Sequence, residues 1–251
     1  MVRREAPIRV GPTTSTLRGE TTLVRIAILS DIHGNLLALE AVMADLEVQS
    51  PDQIWCGGDL GWMGPWASEC IKRVRDAGWP TVRGNTDVWI TGDPQTVESE
   101  DDRATLKAIA EEHAVSADDA EWLLNLPIGH TGTGSVLLVH GTPNSPFRAP
   151  MPDDPATDFK EYEDHASVVV YGHVHRAFVR RLSGGTLVAN TGSVGLPMDG
   201  DTASYLLIDR AGPDITLRHR RVAFDRRAGL AEAKRLGGVS GKRFIETLGP
   251  A

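Results

Sequence analysis

Apolar runs in this chain are short, and most of them end on polar, ligand-type side chains. From Leu23 to Leu29 the sequence is apolar apart from Arg25 and rich in β-branched residues. That is the pattern of a strand buried on both faces within a parallel sheet. It runs into Ser30, Asp31, Ile32 and His33, then Gly34 for a sharp turn and Asn35 as a helix N-cap. In an extended chain Asp31 and His33 point the same way. Leu36, Leu39, Val42, Met43 and Leu46 recur at helical spacing, which predicts an amphipathic helix ending before Pro51. Gln53–Cys56 reads as the next strand, and Gly57, Gly58 and Asp59 close a β–α–β unit. A loop with Gly61, Gly64 and Pro65 leads to a helix over about 67–76 with Gly78 as its C-cap. Residues 79–82 read as a third strand, ending on Arg83, Gly84, Asn85, Thr86 and Asp87.

Further along, two helices are expected near 102–114 and 116–125, forming a small helical cover over 91–127. Residues 135–139 make a strand ending in His140 and Gly141. The span 142–162 carries five prolines and no apolar period. Its length is too great for a simple connector, and a substrate loop or lid with Phe147 and Arg148 as contacts weighs equally with a disordered surface loop. Residues 167–171 make a strand ending in Gly172, His173, Val174 and His175. A hairpin over 176–189 follows, then strands at 204–209 and 215–221, a helix at 225–236 and a Gly-rich tail over 237–251. Residues 1–22 are Arg-bearing and Thr-rich, lack the apolar core of a secretory signal, and read as a flexible tail. One domain therefore spans 23–236.

Composition narrows the function classes. The 251 residues are 41% hydrophobic and 24% charged, ordinary values for a globular chain. A net charge of −8 argues against a stable nucleic-acid complex or an anionic-membrane binder. No apolar run approaches the ~18 residues of a membrane span. Cys56 and Cys70 read as buried free thiols, which fits a reducing cytoplasm.

Five strand ends deliver ligand-type groups: Asp31 and His33, Asp59, Asn85, His140, and His173 with His175. A lone histidine at a strand end is usually structural. The whole set, each member beside a glycine, is hard to bury without a cation. Seven donors exceed one four-coordinate ion and suit two, with a shared carboxylate and a spacing of ~3.5–4 Å. Mixed imidazole, carboxylate and amide ligation favours manganese, iron or zinc over thiolate-selected metals.

The order DxH…GD…GNxD…HG…GHxH resembles the calcineurin-like metallophosphoesterases, in particular a small bacterial and archaeal branch of predicted phosphodiesterases. The resemblance runs from Leu23 to about Leu236 and includes the segments GDLGWMGPW and NTGSVGLPMDGD. It implies an α/β fold, a four-layer α/β/β/α sandwich of two mixed sheets. It implies two divalent metal ions, manganese first, with iron, zinc, nickel or magnesium as alternatives. Asp31, His33 and His175 would hold one ion, Asn85, His140 and His173 the other, and Asp59 would bridge them. Asp59, Asn85 and His140 would thereby be catalytic, as a hydroxide between the ions attacks phosphorus in line. Asp87 would brace a neighbouring ligand, and Asn35 would bring its amide near the phosphate or simply cap its helix.

The small phosphorylated substrate would be a phosphodiester or a nucleotide-derived phosphate, and an assembly of identical chains is compatible with this reading. Many relatives have a histidine, thought to protonate the leaving oxygen, where this chain has Thr86. That change favours diesters or activated leaving groups. Trp62, Met63 and Trp66, beside the Asp59 loop, could stack on a base, with packing as their default role. His113, His130, His165 and His219 read as surface groups, and Arg218, Arg220 and Arg221 as a solvated strand face. The alternatives are a non-enzymatic protein-interaction scaffold on the same fold, like the related retromer subunit, and a protein phosphatase.

Overall fold

The computed structural model describes residues 8–10, 22–92, 97, 99–132 and 134–249. In chain order the elements are β1 (Ile8–Val10), β2 (Leu23–Leu29), α1 (Leu36–Gln49), β3 (Gln53–Cys56), α2 (Ala67–Ala77), α3 (Asn85–Trp89), α4 (Glu100–His113), α5 (Ala117–Asn125), β4 (Gly129–Gly132) and β5 (Val136–Val139). A 3₁₀ helix (Ala156–Tyr162) precedes β6 (Val168–Tyr171), β7 (Phe178–Arg181), β8 (Leu187–Asn190), β9 (Ala203–Ala211), β10 (Asp214–Val222), α6 (Arg226–Leu236) and α7 (Gly238–Leu248). They form two five-stranded mixed sheets, ordered β1-β10-β9-β2-β3 and β4-β5-β6-β8-β7.

Strand periodicity separates three apolar layers. In β2, Ile26 and Ile28 face the second sheet, whereas Ala27 and Leu29 face the helices. In β9, Leu206 and Ile208 join the first group, and Tyr205 and Leu207 the second. Val168 and Val170 of β6 meet Ile26, Ile28 and Trp55 between the sheets, while Val169 and Tyr171 pack outward. On that outer side the covering layer is the 3₁₀ helix, whose Phe159 and Tyr162 are fully buried. Their spacing of three is the repeat that places 3₁₀ side chains on one face. This is the expected four-layer sandwich, with α1, α2, α4 and α5 contributing to the first outer layer.

Several elements differ from their sequence reading. Residues 79–82 make only one bridge, Thr81 to Cys56, because the chain turns into α3. Strand β4 lies over Gly129–Gly132, pairing antiparallel with β5, in a stretch to which the sequence pattern assigns no element. The Gly-rich segment after 237 is helix α7, held by burial of Phe244 and Leu248 against α6 and Leu196. Glu112 of α4 caps α7, accepting from the Val239 and Ser240 amides at 2.8 Å each. The expected N-terminal tail lies outside the described residues except Ile8–Val10, which pairs with β10, and Thr22. At the proline-rich span the Tyr162 hydroxyl donates to Gly141 O at 2.9 Å and the Tyr171 hydroxyl to Pro150 O at 2.7 Å.

Candidate metal centre

The carboxyl ends of β2, β3, β5 and β6 converge, and backbone bonds lock their loops together. Asp31 N donates to Gly58 O, Ile32 N and His33 N to Asp59 O, and Gly34 N to Leu60 O, all at 2.8–3.0 Å. Gly172 N donates to His140 O at 3.0 Å. Where extended backbone was expected, the loops turn through the left-handed region. Asp31 (φ 59°), His33 (49°), Asp59 (57°), His173 (66°) and His175 (57°) all lie there. Each such residue costs on the order of 1–3 kcal/mol. Asp31 and His33 therefore converge through two tight bends, not through strand alternation. The closeness of the loops also explains Gly64, where a Cβ would collide with His33 O and Gly34.

All seven sequence-derived donors meet at this point. His33 Nε2 lies 3.0 Å from His175 Nε2, which lies 3.3 Å from Asp31 Oδ1. Asn85 Oδ1 lies 3.0 Å from His140 Nε2 and 2.9 Å from His173 Nδ1. Asp59 Oδ2 sits between the two groups, 3.6 Å from His33 Nε2 and 3.5 Å from His140 Nε2. Apart from half-buried His173, every one of these residues is buried.

The donor chemistry fits a cation. His140 Nδ1 faces Gly57 O at 2.7 Å, and His175 Nδ1 faces Leu196 O at 2.8 Å. A carbonyl only accepts, so both imidazoles carry a proton on Nδ1 and, when neutral, turn the Nε2 lone pair inward. Lone pairs from nitrogen, amide oxygen and carboxylate thus point at one another. Two such clusters are compact enough for an ion, Asp31 with His33 and His175, and Asp31 with Asp59 and His140.

The electrostatics agree. Burial raises the Asp31 carboxyl, but His175, His140 and His33 outweigh it and hold Asp31 well below the usual range. Burial pushes Asp59 up to about 7, with His140 opposing and Asp87 and Asp31 adding to the rise. Burial and His140 pull His173 down to about 4. Burial and His175 likewise lower His33. Burial lowers His140 and His175 too, yet Asp59 and Asp31 respectively outweigh it and raise both. The pocket is short of positive charge at Asp59, which a divalent ion would supply.

Around these donors the other candidates divide. Asp87 is fully buried, and its carboxylate accepts from Asp59 N (2.9 Å), Leu60 N (2.9 Å) and Gly84 N (2.8 Å). It braces the two loops that carry Asp59 and Asn85. Asn35 is corrected as a substrate contact: it is fully buried, its Oδ1 caps Ala38 N, and its Nδ2 donates to Gly195 O. The Arg148 guanidinium is paired with Glu161 at 2.6 Å. Trp62 is only 4% exposed, so it cannot offer a face to a ligand. Phe147 packs on Trp89 with ring centroids 6.2 Å apart. Trp89 was not among the sequence candidates. Its spacing of four from Asn85 would have marked it had 85–89 been read as helical.

Residues 24–212 match the family model of the calcineurin-like phosphoesterase superfamily domain. An uncharacterised protein of Methanocaldococcus jannaschii is 28% identical over 220 residues, covering 80% of this chain and 88% of that protein. A crystal structure of a metallophosphoesterase from Sphaerobacter thermophilus is similar at a TM-score of 0.69 and 25% identity, covering 90% of this chain and 98% of its own. A hypothetical protein from Pyrococcus horikoshii has the same fold at a TM-score of 0.73 and 22% identity, covering 91% and 100% respectively.

Proposed function

The chain belongs to the calcineurin-like phosphoesterase superfamily, and from that premise we propose that it is a two-metal phosphodiesterase acting on diesters or nucleotide-derived phosphates. The observation that carries the reading is the convergence of seven ligand-type side chains, Asp31, His33, Asp59, Asn85, His140, His173 and His175, with Nε2 of His140 and of His175 turned inward. Asp31, His33 and His175 would hold one divalent ion, Asn85, His140 and His173 the second, and Asp59 both. Manganese suits this oxygen and imidazole set. Two such ions supply a water of lowered pKa and neutralise charge on the phosphoryl oxygens.

The chain's own residues set the stage for that chemistry. Gly57 O and Leu196 O fix the tautomer and ring orientation of His140 and His175. Asp87 holds the backbone of Asp59 and Gly84. Thr86 follows Asn85, and its backbone N donates to Asp59 Oδ1 at 2.9 Å. Its hydroxyl is no acid near pH 7, so the leaving oxygen departs unassisted from that position. Diesters and activated leaving groups are favoured accordingly. The buried free thiols Cys56 and Cys70 suit a reducing cytoplasm.

The test compares bis-p-nitrophenyl phosphate with p-nitrophenyl phosphate, using chelated protein reconstituted with manganese. Metal-dependent diester turnover, faster than monoester turnover and reduced at least about 100-fold in Asp59→Asn, is expected. Manganese-loaded protein that leaves the diester intact would overturn the proposal.

A further inference from the structure

We propose that Trp89 and Phe147 form a seat for a nucleobase beside the metal centre, which makes them specificity-determining residues for base-bearing phosphates. This rests on the phosphodiesterase reading and adds a substrate class to it.

The argument is one of chain geometry. Helix α3 begins at Asn85, whose Oδ1 lies 3.0 Å from His140 Nε2. Trp89 is four residues on, one helical turn along the same side as Asn85. The loop that leaves His140 takes a different course and returns to the same helix: its Phe147 ring lies 6.2 Å from the Trp89 ring, at an interplanar angle of 36°. Two segments that meet at Asn85 and His140 therefore meet again at an aromatic pair one helical turn further along α3.

Both rings are held, and neither is buried away. Trp62, nearly inaccessible, backs Trp89 edge-on at 6.0 Å and 61°. The Phe147 loop is pinned from below. The Tyr162 hydroxyl donates to Gly141 O, and Gly141 packs so closely on Ser145 O and Arg148 O that no Cβ fits. Thr142 and Ser145 exchange backbone bonds of 2.8 and 3.2 Å. Yet Trp89 and Phe147 both remain half-buried, so each keeps surface open to a ligand. Arg148, the next residue, is engaged with Glu161, which leaves the ring as the loop's contribution on this side. Aromatic platforms of this kind bind bases by stacking and tolerate their identity. A planar base laid on the pair would leave its 5′-phosphate on the side of Asn85 and His140.

Two ligands that differ only in the base, thymidine 5′-monophosphate and 2-deoxyribose 5-phosphate, decide the matter by calorimetry on the manganese-loaded protein. The nucleotide should bind roughly tenfold tighter, a typical stacking gain for one base. Phe147→Leu and Trp89→Leu should each remove most of that preference while binding of the sugar phosphate stays within about twofold. Phe147→Leu lies on a loop and guards against a folding defect in the helix variant. With thymidine 5′-(p-nitrophenyl phosphate) as substrate, the same variants should raise KM and leave kcat nearly unchanged. Equal binding of the two ligands by the wild type, or equal weakening of both by the variants, would overturn the seat. A ring-dependent preference without hydrolysis of any diester would instead overturn the phosphodiesterase reading and leave the seat standing.

Discussion

Asp87 shows how much of the centre depends on a side chain that faces none of the donor atoms. Its carboxylate satisfies three buried amides on two loops. Asp87→Ala leaves them without an acceptor, which should cost about 3 kcal/mol in urea unfolding. It should also weaken manganese about 10- to 100-fold in a chelator competition, the range for lost outer support. Thr86 makes the opposite prediction. Its Oγ1 is buried without a hydrogen-bond partner among the described residues, so Thr86→Val should be neutral or stabilise by up to about 1 kcal/mol. Diester turnover should be unchanged if the hydroxyl takes no part, and a tenfold loss would assign it a role. At this scale the donors were legible because metal chemistry restricts residue type and the strand ends expose it. The role of Asn35 was not, because its bond to Gly195 is made across the fold.

Elements were legible where burial imposes a period. Strands β2, β6 and β9 each split cleanly between two apolar layers, and α1 follows its cap at Asn35. Elements sustained by tertiary contacts were missed. Helix α3 has five residues, too few to show a period, and α7 carries glycines that weigh against a helix. What holds α7 is Phe244 and Leu248 in a small apolar cluster and the Glu112 cap. Helix α4 ends at His113, whose buried Nε2 has no partner among the described residues. Burial, only partly opposed by Glu112, pulls its pKa from 6.5 down to about 4. The unfolded chain therefore binds the extra proton between pH 6.5 and pH 4. Stability from this group is present above pH 6.5 and is lost as pH falls towards 4. The loss should be roughly 2 kcal/mol by pH 5. His113→Leu should flatten that part of the profile when urea midpoints are compared at pH 5 and pH 7.

Across the whole molecule, the candidate centre straddles the two sheets. Asp31 and Asp59 follow β2 and β3 of the first sheet, whereas His140, His173 and His175 follow β5 and β6 of the second. Ions bound there would tie the sheets at one end, while Trp55, Val168 and Val170 fill the apolar space between them. Manganese at about 100 times its dissociation constant should add about 2.7 kcal/mol, visible as a rise in Tm that chelation reverses. Asp59→Asn should lose most of that rise. The parallel start and antiparallel end were readable from strand spacing. The placement of β9 between β2 and β10 was not, because pairing across long stretches of chain leaves no local mark on the sequence.

The left-handed backbone at Asp31, His33, Asp59, His173 and His175 sets the protein's robustness against its chemistry. Glycine adopts that conformation without penalty, so His173→Gly should lose manganese affinity and yet melt a few degrees above the wild type when both are metal-free. A lineage released from the need to hold ions would drift towards glycine at these positions and grow hardier as it fell silent. In this chain a gain in metal-free Tm on substitution at these positions would then come with a loss of the ions.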